Sequence, residues 1–112
     1  LEKEWAAGRR ILGSQVDDAA RNVIRERGWA EWFIHRTGHS IDRETHGMGP
    51  NMDNLETNET RRIIRGIGFS IEPGLYIPGE IGMRTEINVF VGDDGPDVTT
   101  PAPQRAIQPL LK

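Results

Sequence analysis

The sequence predicts an α+β fold, and three observations carry that prediction. Val16, Ala19, Ala20, Val23 and Ile24 recur at i, i+3, i+4, i+7 and i+8, the spacing of one helical face. Phe69 to Ile77 and Met83 to Val91 alternate apolar with polar residues, the spacing of half-buried strands. The 13 Gly and 7 Pro gather mainly after residue 45, so turns should dominate the second half.

Taken in order, residues 1–12 read as the end of a helix with Trp5 and Ile11 or Leu12 on one side, weakened by Gly8. Ser14 reads as an N-cap with Asp17 three residues on, an imperfect capping box. The amphipathic helix that follows should end at Gly28 in a left-handed cap. Its charges, Asp17, Asp18, Arg21, Arg25 and Glu26, are expected to form a solvated face. Trp32 to His35 is a short apolar run expected as a strand, and Gly47 to Gly68 carries no period and reads as loop. In the last strand Met83, Thr85, Ile87, Val89 and Val91 should face one way and Arg84, Glu86, Asn88 and Phe90 the other. Asp93-Asp94-Gly95 is a turn, and the Pro-rich tail from Thr99 through Pro101 and Pro103 should be extended, at an edge.

At 112 residues the chain is a single domain or part of one. A net charge of −3, with no basic cluster interleaved with aromatics, argues against a nucleic-acid partner. No apolar run approaches the roughly 20 residues that cross a bilayer, so no membrane partner is expected. The absence of Cys removes disulfides, thiolate nucleophiles and Cys-ligated zinc, and fits a reducing compartment, so the expected location is cytoplasmic.

The chemistry is concentrated in three segments. His35, His39 and His46 are all the histidines of the chain and fall within twelve positions. Pro78 to Gly82 connects the two alternating strands; if the hairpin is centred on Gly79, Glu72 lies directly opposite Glu86 on the polar face, and a centre shifted by one residue makes them diagonal, still within reach. Opposed antiparallel residues have Cβ atoms about 4.5–5.5 Å apart. Two such carboxylates repel unless a cation or a shared proton lies between them, and Arg84 offsets part of that charge. Each feature alone has a plain structural reading: surface glutamates flanking a hairpin, histidines satisfied by hydrogen bonds. Together, imidazole and carboxylate form the donor set of borderline divalent ions such as Mn, Co, Zn or Fe(II). No HExxH helix is present, which argues against a zincin.

Phe33-Ile34-His35-Arg36-Thr37-Gly38-His39, then His46, Phe69-Ser70-Ile71-Glu72-Pro73-Gly74-Leu75-Tyr76 and Met83-Arg84-Thr85-Glu86 resemble the second half of the pita-bread metallopeptidases. Among these the nearest resemblance is to Xaa-Pro dipeptidases (prolidases) and Xaa-Pro aminopeptidases. Val16 to Arg21 resembles the family's preceding helix, and the likeness runs over roughly residues 8–100. It implies an antiparallel curved sheet with the helix packed on it, and hydrolysis of Xaa-Pro peptide bonds by a hydroxide bridging two divalent metal ions (Mn, Co or Zn). It assigns metal binding to His39, Glu72 and Glu86, with Glu72 also the general base. His35 and His46 contact substrate and stabilise the tetrahedral intermediate, Arg84 supports the ligands, and Tyr76 lies near the pocket.

The family's site takes five protein ligands, and its first two are aspartates placed before the His segment. Nothing upstream of His35 qualifies, because Asp17 and Asp18 lie on the amphipathic helix. Asp42 and Asp53 are eleven apart but follow His39, and read as loop residues. Ser40 and Asp42, and Ile87-Asn88 after Glu86, depart from the usual pattern and alter the expected pocket shape. Residues 1–112 are therefore expected to be a partial domain, the C-terminal half of a catalytic domain, inactive alone, whose partners are its own N-terminal half and a proline-containing peptide. Half a sheet exposes apolar surface, so homo-oligomers are also expected. Two other readings stay open: a non-catalytic pita-bread module that binds peptides or proteins, and a metal-free creatinase-like hydrolase. Neither has a use for His39, Glu72 and Glu86 together.

Overall fold

A computed structural model of the chain describes residues 1–102, 104–109 and 111. The order of elements is α1 (Glu2–Ala6), α2 (Gly13–Glu26), a 3₁₀ turn (Ala30–Trp32), β1 (Ser40–Ile41), β2 (Gly68–Ile71), β3 (Gly74–Ile77), β4 (Ile81–Arg84), β5 (Ile87–Val91) and β6 (Pro96–Val98). Four strands form one antiparallel sheet in the order β1-β2-β5-β6, and β3-β4 form a separate two-stranded hairpin.

Of the registers open to the hairpin, the structure takes the one centred on Gly79. Ile77 faces Ile81 and Gly74 faces Arg84 in the outer ladder. In the inner ladder Ile71 faces Ile87 and Gly68 faces Phe90. Every rung of both ladders is centred on Gly79, whose φ of +75° forms the turn at no steric cost. The strands are not continuous, however. Both ladders lapse at residues 72–73 and 85–86, where Pro73 has no N–H to offer and one bond, Thr85 N–H to the Pro73 carbonyl, spans the gap at 3.2 Å.

The core is formed by Ile11, Met52, Ile63, Phe69, Val89 and Val91, with Leu1, Trp5, Val16, Ile67, Ile71 and Ile87 packed against it. The expected inward face thus holds along β5. It fails along β4, where Met83 is 53% exposed, because past the break the outer hairpin no longer lies over that core.

The helical region differs in three ways. The first helix ends at Ala6, and Gly8 at φ +66° turns the chain out of it. Ser14 is not the N-cap of α2. Leu12 is, and the Gln15 side chain accepts its N–H at 2.9 Å, while Ser14 is buried inside the first turn. Gly28, at φ +80°, is the left-handed residue that ends the helix as expected. The solvated face is the third difference. Asp17 is completely buried and Arg21 half-buried, for reasons given below, whereas Val23 on the apolar stripe is 53% exposed.

Trp32 to His35 is not a strand: the segment closes a 3₁₀ turn and runs on without ladder bonds. The edge strand near the C-terminus is β6, before Thr99, and the described part of the Pro-rich tail forms no strand; Pro103 lies outside the described residues.

Candidate metal and peptide site

Three segments from distant parts of the sequence meet at one cleft of about 430 Å³, whose wall includes His35, His39, His46, Glu72, Arg84 and Glu86. The histidine segment is brought there by close backbone contact. Gly38 pairs with Met52 in an isolated antiparallel bridge, and a Cβ on Gly38 would stand 1.9 Å from the Ser70 carbonyl oxygen, so only glycine allows the approach. Ser70 N–H then donates to the His39 carbonyl at 2.9 Å and Glu72 N–H to the Thr37 carbonyl at 2.7 Å, locking β2 beside the segment.

Hydrogen bonds to carbonyl oxygens, which only accept, fix the proton on two imidazoles. His39 Nδ1 lies 2.9 Å from the Ser40 carbonyl oxygen and must donate to it, which leaves Nε2 bare in the neutral ring. That nitrogen is 3.1 Å from Glu72 Oε1. His35 Nδ1 donates to the Arg36 carbonyl at 2.7 Å, so its Nε2 accepts the Tyr76 hydroxyl at 3.0 Å. His46 is exposed, its ring centroid 4.3 Å from that of His39.

Glu72 is held from several sides. Its Oε1 accepts the Ser70 hydroxyl at 2.9 Å, and its Oε2 lies 3.5 Å from an Arg84 nitrogen. The same Ser70 hydroxyl accepts the His39 N–H at 3.0 Å, so one buried serine ties the imidazole segment to the carboxylate. Glu86 stands opposite Glu72 when the register of both ladders is carried across the break, and it lines the same cleft.

The residues to which the resemblance assigns a role in the site thus gather here except Tyr76, which stands off the cleft wall and touches it through His35. Sequence reasoning missed Ser70, whose only signal is its place two residues before Glu72 on the same face. It also missed Arg36, Thr45 and Glu56, which complete the wall. Asp42 and Asp53 are loop residues: Asp42 accepts the Arg43 N–H, and the buried Asp53 accepts N–H groups of Leu55, Glu56 and Thr57. Asp18 accepts from the Asn54 side chain. Among the described residues no three His, Asp or Glu side chains stand close enough together to hold an ion. His39 and Glu72 are in place as a pair. The donor chemistry therefore suits a borderline divalent ion, and the number of protein donors is short.

The model of metallopeptidase family M24 matches residues 4–93. The probable dipeptidase PepE of Mycobacterium tuberculosis is 42% identical over 85 residues, which cover 76% of this chain and 22% of that protein. The crystal structure of dipeptidase PepE from Mycobacterium ulcerans superposes with a TM-score of 0.74 at 38% identity, over 84% of this chain and 24% of the other. The Xaa-Pro dipeptidase from Bacillus anthracis gives a TM-score of 0.77 at 34% identity, over 88% of this chain and 26% of the other. The α+β architecture and the pita-bread likeness read from the motifs are borne out by these superpositions. The chain spans about a quarter of the length of the relatives it matches.

Proposed function

The chain belongs to metallopeptidase family M24, and on that premise we propose that it carries the C-terminal ligands of an Xaa-Pro peptidase site. His39, Glu72 and Glu86 would hold divalent ions (Mn, Co or Zn), with two aspartates from a segment outside this chain completing the set. The observation that carries this reading is His39 Nε2 at 3.1 Å from Glu72, with the other ring nitrogen committed to the Ser40 carbonyl and Glu86 the register partner of that carboxylate. When bound, the ions would activate water and stabilise charge developing on a peptide carbonyl.

The chain's own residues do the rest. Ser70 aims the Glu72 carboxylate, which takes a proton from water as general base. Arg84 balances the charge of the paired acids while Glu72 is ionised. His46, exposed beside His39, meets the substrate peptide, and His35 contacts it with its ring held by Tyr76. The substrate is a dipeptide or peptide with proline after the scissile bond, consistent with what the Bacillus anthracis relative is called. Self-association of the isolated chain follows from apolar side chains left at its surface, among them Ile81, Met83 and Phe90. Sedimentation as a clean monomer at high concentration would speak against that part.

Metal titration tests the site. The chain should bind cobalt or manganese weakly, and His39→Ala or Glu86→Ala should abolish binding. Alone it should release no proline from Ala-Pro, whereas the polypeptide extended to the length of its relatives should do so with either metal. No metal binding by the extended polypeptide, or unchanged binding after His39→Ala, would sink the proposal.

A further inference from the structure

We propose that the buried Asp17–Arg21 pair is a positioning device that sets where His35 and His39 stand, a role that rests on reading those histidines as site residues. Asp17 is 0% exposed, and Arg21 holds it with two bonds, Nε to Oδ2 at 2.9 Å and Nη2 to Oδ1 at 3.0 Å. The pair does not stop there. Arg21 Nη1 donates to the Phe33 carbonyl at 3.0 Å and Nη2 to the His35 carbonyl at 2.9 Å, while Asp17 Oδ1 accepts the Thr37 N–H at 2.8 Å. Alternate residues 33, 35 and 37 of the histidine segment are therefore fastened to one helical turn of α2. The guanidinium also lies 4.2 Å from the centre of the Phe33 ring.

The segment needs such a fastening. Residues 33–37 belong to no helix or strand, so their backbone groups have no ladder to satisfy them. A buried ion pair used only for stability could be replaced by apolar residues of like volume at little loss. That exchange is unavailable here, because only a planar fork with several donors reaches a carboxylate and two carbonyls at once, and Lys does not reproduce it. Asp17 is held below the usual carboxylate range: burial pushes it up, and Arg21 and Thr37 more than offset that. Neither Asp17 nor Arg21 lines the cleft, so both act through the histidines. On its opposite side the segment is pinned to β2 through Thr37 and His39, so its position is fixed from two directions.

The test uses the 112-residue chain with Arg21→Lys, Arg21→Met and Asp17→Asn, and Ile63→Val as a core control. Two readouts are taken where circular dichroism shows folded protein: the nuclear Overhauser contact between the His35 and Tyr76 rings, whose centroids are 5.3 Å apart, and the affinity for cobalt. Arg21→Lys keeps the charge opposite Asp17 but loses the fork, so the ring contact should weaken at least twofold. Cobalt affinity should fall about tenfold, as when other supporting partners of metal ligands are lost. Ile63→Val should change neither. Folded Arg21→Lys or Asp17→Asn with the ring contact and the amide shifts of residues 35–39 unchanged would overturn the proposal. So would unfolding of all three variants while Ile63→Val folds, since the pair would then serve stability alone. If the unaltered chain binds no cobalt, the metal site fails, and the ring contact still decides the role of the pair.

Discussion

Replacing Ser70 by alanine removes a single oxygen and should weaken both the fold and the site. That hydroxyl accepts the His39 N–H at 3.0 Å and donates to Glu72 Oε1 at 2.9 Å, and Ser70 is 0% exposed, so water has no ready path to replace it. An orphaned buried N–H costs about 1–3 kcal/mol. A lost hydrogen bond to a charged acceptor costs about 1.5–3 kcal/mol, at the low end here because Glu72 keeps Arg84 and some solvent. The combined loss should be about 3 kcal/mol, or on the order of 10–20 °C in melting temperature for a domain of this size. Urea unfolding followed by the fluorescence of Trp5, Trp29 and Trp32 measures it. Cobalt affinity should drop alongside, since imidazole and carboxylate lose their common tie. A stability loss below about 1 kcal/mol with cobalt binding unchanged would falsify the reasoning.

Gly38→Ala should prevent folding or force β2 away from the histidine segment, because the new methyl would lie 1.9 Å from the Ser70 carbonyl oxygen; a soluble variant with an unchanged amide spectrum would contradict the packing. Tyr76→Phe should cost about 1 kcal/mol and free the His35 ring while leaving the His39 resonances in place, and a coupled shift of both histidines would show that the two are not independently held. The acid limb of stability should include Glu59, whose carboxyl is lowered from 4.5 to about 2, chiefly by the Arg61 side chain. A depressed folded-state value makes this contribution full above about 4.5 and lost as the pH falls to about 2, so Glu59→Gln should flatten that stretch of the stability profile.

Much of the site was legible because it is local to a hairpin. Alternation was enough to put Glu72 and Glu86 on one polar face, and the turn glycine offered the register that opposes them directly; the ladders, not the sequence, chose it over a one-residue shift. The helix end at Gly28 and the inward face of β5 were legible because a helix cap and strand alternation are also local patterns. What escaped depends on partners far along the chain. Asp17 and Arg21 sit at spacing that also suits a solvated i,i+4 pair, and nothing local reveals that Phe33, His35 and Thr37 will cover them. Ser14 has the chemistry of a cap but is buried within the first turn, while the Gln15 side chain meets the Leu12 N–H. The apolar run at Trp32 to Ile34 has strand composition, yet its Phe33 carbonyl accepts from Arg21 and its Trp32 and Phe33 N–H groups donate within a 3₁₀ turn instead of to a neighbouring strand.

The lapse in pairing at residues 72–73 and 85–86 does not disturb the count of residues on either arm, since the ladders on both sides share one centre. Parity is thereby conserved across the crease. One residue added between Pro73 and Ile77, or between Ile81 and Thr85, would turn one acid toward the far side of its ribbon. Extra length at Pro78, Gly79 or Glu80 would leave both where they are. The tip of this ribbon is thus the place to splice in a tag or a reporter, and its arms are not.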